Sequence, residues 1–138
     1  MIDTQAALIY IMVMVAAADN NMADAELHII GDIVNHLPVF ADYDQKRLTK
    51  DLKDCAGLLG RDTGLEEALK SVKTAIPAKL RETAYALACD VAAAGGAAGK
   101  ELSQETLRLL ELVRHRLAVD RLTAAAIERG ARARFTRL

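Results

Sequence analysis

The side chains best suited to chemistry lie in one short stretch, Asp19-Asn20-Asn21-Met22-Ala23-Asp24-Ala25-Glu26. It follows the apolar run from Ala6 to Ala18 and precedes a helical period of apolar residues, so it joins the end of one helix to the start of the next. Carboxylates and amide oxygens gathered there suit a hard divalent cation of the Ca²⁺ or Mg²⁺ type, which takes oxygen ligands. The candidate metal ligands are Asp19, Asp24 and Glu26. The stretch is not an EF-hand loop. Counted from Asp19, the fifth position is Ala23, and no carboxylate stands at the twelfth. A purely structural reading stands beside the metal one: Asp24 as an N-cap, and Glu26 as a complement to the positive end of a helix dipole.

Other constellations carry less. His28, Asp32 and His36 are spaced four apart and share one helix face. A histidine pair with a carboxylate can hold Zn²⁺, but His28 and His36 lie two turns apart, and a solvated face accounts for them. The segment from Gly95 to Lys100 imitates a phosphate-binding loop. Its glycines are one residue too close, and Glu101 stands where Ser or Thr must hold Mg²⁺. No arrangement of Ser, His and acid carries a nucleophile signature, so the expectation is a protein without catalytic residues and with no cofactor beyond a cation. The last ten residues hold Arg129, Arg132, Arg134 and Arg137 with one aromatic, Phe135. Such a tail can touch an anionic surface, but a solvated or frayed end explains it, and nucleic acid is not expected as a partner.

These residues need helices to position them, and the pattern supplies seven. The first spans about Thr4 to Ala18, capped at Asp3 or Thr4. It is apolar on every face, as a helix surrounded by others must be. The second spans Asp24 to Leu37, with Leu27, Ile30, Ile33, Val34 and Leu37 at helical spacing and Pro38 as its stop. The third begins near Asp42, where Asp42 and Gln45 are spaced as a capping box. It carries Leu48, Leu52, Cys55 and Leu59 and halts at Gly60. A second box, Thr63 and Glu66, opens the fourth, with Leu65, Leu69, Val72 and Ile76 inward. Pro77 suits the first turn of the fifth, which carries Leu80, Ala84, Leu87, Ala88 and Val91 and ends among Gly95, Gly96 and Gly99. Ser103 caps the sixth, with Leu107, Leu110, Val113 and Leu117; the seventh runs from Asp120 to about Arg132.

An internal repeat relates two of these hairpins. Val15-Ala16-Ala17-Ala18, a polar turn and a helix with Ile29, Ile30, Ile33 and Leu37 form the first copy. Val91-Ala92-Ala93-Ala94, a glycine turn and a helix with Leu109, Leu110, Val113 and Leu117 form the second. The helices after the turns match at an offset of 80 residues and the segments before them at 76, so the second turn is longer by about four residues. The expectation is a single all-α domain over residues 1–138: about seven helices, two pseudo-repeated helix-turn-helix hairpins, and a buried Ala-rich core.

Composition agrees. In a chain of 138 residues, 52% are hydrophobic and only 4% aromatic, with no Trp, which favours helices packed through small side chains over a sheet. The net charge of -1 hides a polarity. Met1 to Asp44 holds seven acids and no Lys or Arg, and the remainder holds 18 bases against 12 acids. An acidic front draws cations or basic partners and repels nucleic acid. The longest apolar run is too short to span a membrane, which takes roughly 20 residues, and no basic segment precedes it. Cys55 and Cys89 then read as buried, reduced thiols of a cytoplasmic protein.

An Ala-rich helix running into an Asp turn, with Glu seven residues after that Asp, resembles the TerB-like tellurite-resistance family. So do the Asp-rich approach to the third helix, Pro77 ahead of Arg81 and Glu82, and the second Val-Ala-Ala copy. The resemblance runs from about Leu8 to Asp120. It implies an all-helical fold with pseudo-twofold repeats, acidic turns that bind metal, and a role in tellurite resistance and related stress responses. It also implies protein partners, membrane-associated Ter-type proteins among them. By resemblance, Asp19 is the turn Asp, Glu26 the helix Glu, and Asp24 a helper between them. Asn20 stands where the family often has Gly. In the second copy Gly99 and Thr106 replace Asp and Glu, while Glu101 and Glu105 are shifted, so one cation site is expected rather than two. The alternative is a metal-free helical interaction module whose acidic front meets a basic partner. The sequence leaves the oligomeric state open.

Overall fold

In a computed structural model, described for residues 1–19, 24–96 and 102–138, the chain is all helical, and no strand occurs among the described residues. Seven α-helices follow in order: α1 (Thr4–Ala16), α2 (Asp24–His36), α3 (Leu48–Leu59), α4 (Gly64–Ala75), α5 (Arg81–Gly95), α6 (Gln104–Leu117) and α7 (Arg121–Arg134). Short 3-10 turns precede α3 and α5 and follow α2.

The uniform apolarity of α1 fixes the architecture. Every residue from Ala6 to Ala16 is buried, so no face is left for solvent. Asp3 caps it, its carboxylate accepting from the Ala6 N–H at 2.8 Å. Helices α5, α3 and α4 pack most extensively against α1, and α2 also touches it. Helix α5 is the second axis of the molecule. It takes α1, α7, α2 and α6 along its length, which its alanines allow: Ala84, Ala88 and Ala92 bring neighbouring backbones close. Helix α2 of the first hairpin therefore lies on α5 of the second, and α6 also reaches α1. One buried cluster runs through all seven helices.

Several helix starts differ from the expected ones. Neither capping box forms. Asp42 accepts from Gln5 Nε2 at 2.8 Å, and Gln45 donates to the Val34 carbonyl at 3.1 Å. Asp44 instead opens a 3-10 turn, Gln45–Arg47, that leads into α3. Thr63 makes no side-chain cap, and Glu66 is drawn away to Arg116 at 2.7 Å. Ser103 and Asp120 do cap α6 and α7, accepting from the N–H groups of Thr106 and Thr123. Pro77 precedes a 3-10 turn rather than opening α5 directly. Leu27, Leu65 and Leu107, expected inward, are exposed. Each lies in the first turn of its helix, where the residue just before it (Glu26, Gly64 or Thr106) takes the buried position. Helix α7 continues to Arg134, beyond the expected end, and Arg134 reaches Asp90 of α5 at 2.5 Å.

Gly64 makes the α3–α4 corner possible. A Cβ there would lie 1.8 Å from the Leu58 carbonyl oxygen, so only glycine allows the backbones to approach this closely.

Candidate functional site: the first acidic turn

Most acids of the N-terminal third are absorbed by the fold. Asp3 caps α1 and meets Arg47 at 2.9 Å. Arg47 also approaches Asp51 at 3.5 Å and lies over the Tyr43 ring, 5.0 Å from its centre. Tyr43 donates to Asp51 at 2.6 Å, and burial together with this bond raises the phenol well above its ordinary range. Asp42 and Asp44 hold the approach to α3, as above. Asp32 sits 3.4 Å from His28, and the His36 ring contacts the Asp32 carbonyl at 2.9 Å, all on the exposed face of α2. That face brings no zinc-type constellation together. What remains of the acidic front is the turn itself.

Asp19 and Asp24 are exposed, at the end of the α1 segment and the start of α2. Glu26 is not the surface residue that its position in a polar turn suggests: it is 8% exposed. Its side chain lies against Gly95, the last residue of α5, where an added Cβ would fall 2.5 Å from the Glu26 Cδ and 2.7 Å from one carboxylate oxygen. The glycine is what leaves room for the carboxyl group. Asp19 and Glu26 each already take part in polar interactions within the chain.

The electrostatics of Glu26 pull in two directions. It sits in the first turn of α2, near the positive pole of its own helix dipole, which stabilises a carboxylate. It also faces the C-terminal end of α5, where carbonyl oxygens and the negative pole gather, which does not. The second hairpin keeps the burial without the charge. Thr106, at the offset of 80 from Glu26, is 7% exposed, and its hydroxyl lies 2.9 Å from that of Ser103. Asn20 to Ala23, and Gly99 and Glu101 of the second turn, lie outside the described residues. Glu105 is exposed on α6.

The donor set fits a hard cation in kind: carboxylates, one of them held in a cradle that a single methyl group would fill. Among the described residues, however, no group of three or more His, Cys, Asp or Glu side chains converges on a common point suited to a metal ion.

Two features escaped the sequence reading. Tyr85, buried on α5, donates to Glu128 of α7 at 2.5 Å, fixing α7 to α5. Beside this bond, α5, α6 and α7 enclose a groove of about 830 Å³. Helical period alone places Tyr85 inward, one turn before Cys89, but nothing in the spacing couples it to a residue 43 positions away. Both cysteines are free and buried, and burial pushes each thiol up to about 12. No helix among the described residues is long and apolar enough to cross a membrane. Comparison with family models, with curated proteins and with solved structures finds no match.

Proposed function

We propose that the chain is a non-enzymatic helical protein of TerB-like type that binds one divalent cation at the turn 19–26 and engages protein partners in a cytoplasmic tellurite or stress response. The observation that carries the cation reading is the buried Glu26 carboxylate at the carbonyl end of α5. A carboxylate is the kind of oxygen ligand a hard cation takes, and the Gly95 cradle holds this one at the end of α5. Glu26 is the anchoring ligand. Asp19 and Asp24, both exposed, supply the remaining carboxylates, and the site is weak.

Thermal unfolding tests this. A ligand that binds only the folded state stabilises it by about 2.7 kcal/mol at a hundredfold excess over its Kd. Ca²⁺ or Mg²⁺ should raise the midpoint of the wild type and leave that of Glu26→Gln unchanged. Equal shifts in both proteins would remove Glu26 from the site.

A second reading, a metal-free interaction module, draws on the separation of the three carboxylates. In it Asp24 and Glu26 serve only the dipole of α2, and no cation moves the midpoint of either protein.

A further inference from the structure

The groove between α5, α6 and α7 is separate from the acidic turn and has a charge pattern of its own. Its volume, about 830 Å³, falls within the roughly 300–1,000 Å³ of small-molecule sites. Tyr85, Cys89 and Ala92 of α5 form its buried floor. Leu107 of α6 and Phe135 at the end of α7 form apolar walls, and Leu107 is left 47% exposed.

The acids of the groove are committed inside the protein. Glu128 accepts from the Tyr85 hydroxyl at 2.5 Å. Glu111 accepts from Arg114 at 2.6 Å, and these hydrogen bonds hold its carboxyl below the usual range. The bases are not committed. Arg132 and Arg137 line the groove and are exposed, and among the described residues neither makes an ion pair. Arg134, between them in sequence, is held by Asp90. A groove with an apolar floor and walls and two exposed arginines on its lining is complementary to a molecule with an apolar body and an anionic head.

We infer that this groove binds a free single-chain carboxylate amphiphile, its alkyl chain along Leu107, Phe135 and the α5 floor and its carboxylate on Arg132 and Arg137. Two guanidinium groups favour a planar carboxylate through paired N–H donors, whereas an alcohol of equal length gains only the apolar part. The protein binds the ligand as a dispersed monomer and not as part of a membrane surface.

Titration calorimetry of the full chain with decanoate, decanol and decyltrimethylammonium, each below its aggregation threshold, tests the inference. Decanoate should bind roughly tenfold more tightly than decanol, the equivalent of one charge-assisted contact, and the cationic amphiphile should bind more weakly still. The double variant R132Q/R137Q, altered only at exposed positions, should lose that preference and bind decanoate and decanol alike. Leu107→Gln should weaken both ligands while the helical circular dichroism is kept. Three results would overturn the inference: no binding of decanoate, a preference for decanoate that survives in R132Q/R137Q, or binding to phosphatidylglycerol vesicles with none to dispersed decanoate.

Discussion

At the scale of single residues, burial decides what each reactive group does. Cys55 and Cys89 are chemically nucleophilic, yet the core keeps both thiols protonated, with values near 12. The reactive form is the thiolate, so native protein should label slowly with thiol reagents at neutral pH and rapidly once unfolded. The linkage runs in one direction. A thiol whose folded value lies above its unfolded value leaves stability untouched below about pH 8.5, and costs about 1.4 kcal/mol per pH unit above that, until the folded value is reached. Stability should therefore fall from about pH 9 upward, and less steeply in the double variant Cys55→Ala/Cys89→Ala. An identical slope in both proteins, measured by denaturant titration across that range, would mean the thiols are not the groups responsible. Glu26 shows the limit of reading residues singly. Its place in a polar turn suggests exposure, but in the fold it is buried and lies against the end of α5, 69 positions later.

At the scale of elements, helix existence was legible and helix starts were not. Periodic apolar spacing and the stops at Pro38, Gly60 and the glycines after α5 are local signals, and they placed all seven helices. Caps compete with tertiary partners. Ser103 and Asp120 have no better partner and cap as their spacing implies, whereas Gln45 and Glu66 are taken by the Val34 carbonyl and by Arg116, neither visible in a short window. The groove was hidden for the same reason, because it depends on how α6 and α7 diverge over α5. Gly64 carries an element-scale prediction. A methyl group there meets a backbone carbonyl, which cannot move aside as a side-chain tip can, so Gly64→Ala should lose about 2–3 kcal/mol despite the higher helix propensity of alanine. Chemical denaturation reads this directly, and a stabilised variant would show that the α3–α4 corner relaxes freely.

At the scale of the whole molecule, α1 organises the fold, and its buried length follows from sequence alone. Val15 is 1% exposed, in the middle of the buried cluster. Val15→Asp should forfeit several kcal/mol, on the order of the entire stability of a domain, and abolish the cooperative thermal transition. A folded, cooperative variant would show α1 to be peripheral. The two hairpins then differ in one respect that matters for function. Both bury a polar residue at the equivalent position, but only the first buries a carboxylate, Glu26, and sets it against the end of the other hairpin.

That asymmetry is tested most directly by calorimetric titration of Ca²⁺, Mg²⁺, Mn²⁺ and Zn²⁺ into the wild type and into Asp19→Ala, Glu26→Ala, Gly95→Ala, Glu101→Ala and Glu105→Ala. One weak site per chain is predicted for the wild type. Glu26→Ala and Asp19→Ala should abolish it. Gly95→Ala should weaken it without unfolding the protein, because the new methyl group displaces a flexible side chain and not backbone. Glu101→Ala and Glu105→Ala should leave it unchanged. No heat of binding for any cation at millimolar concentration, or a site that survives Glu26→Ala and disappears in Glu101→Ala, would contradict the account.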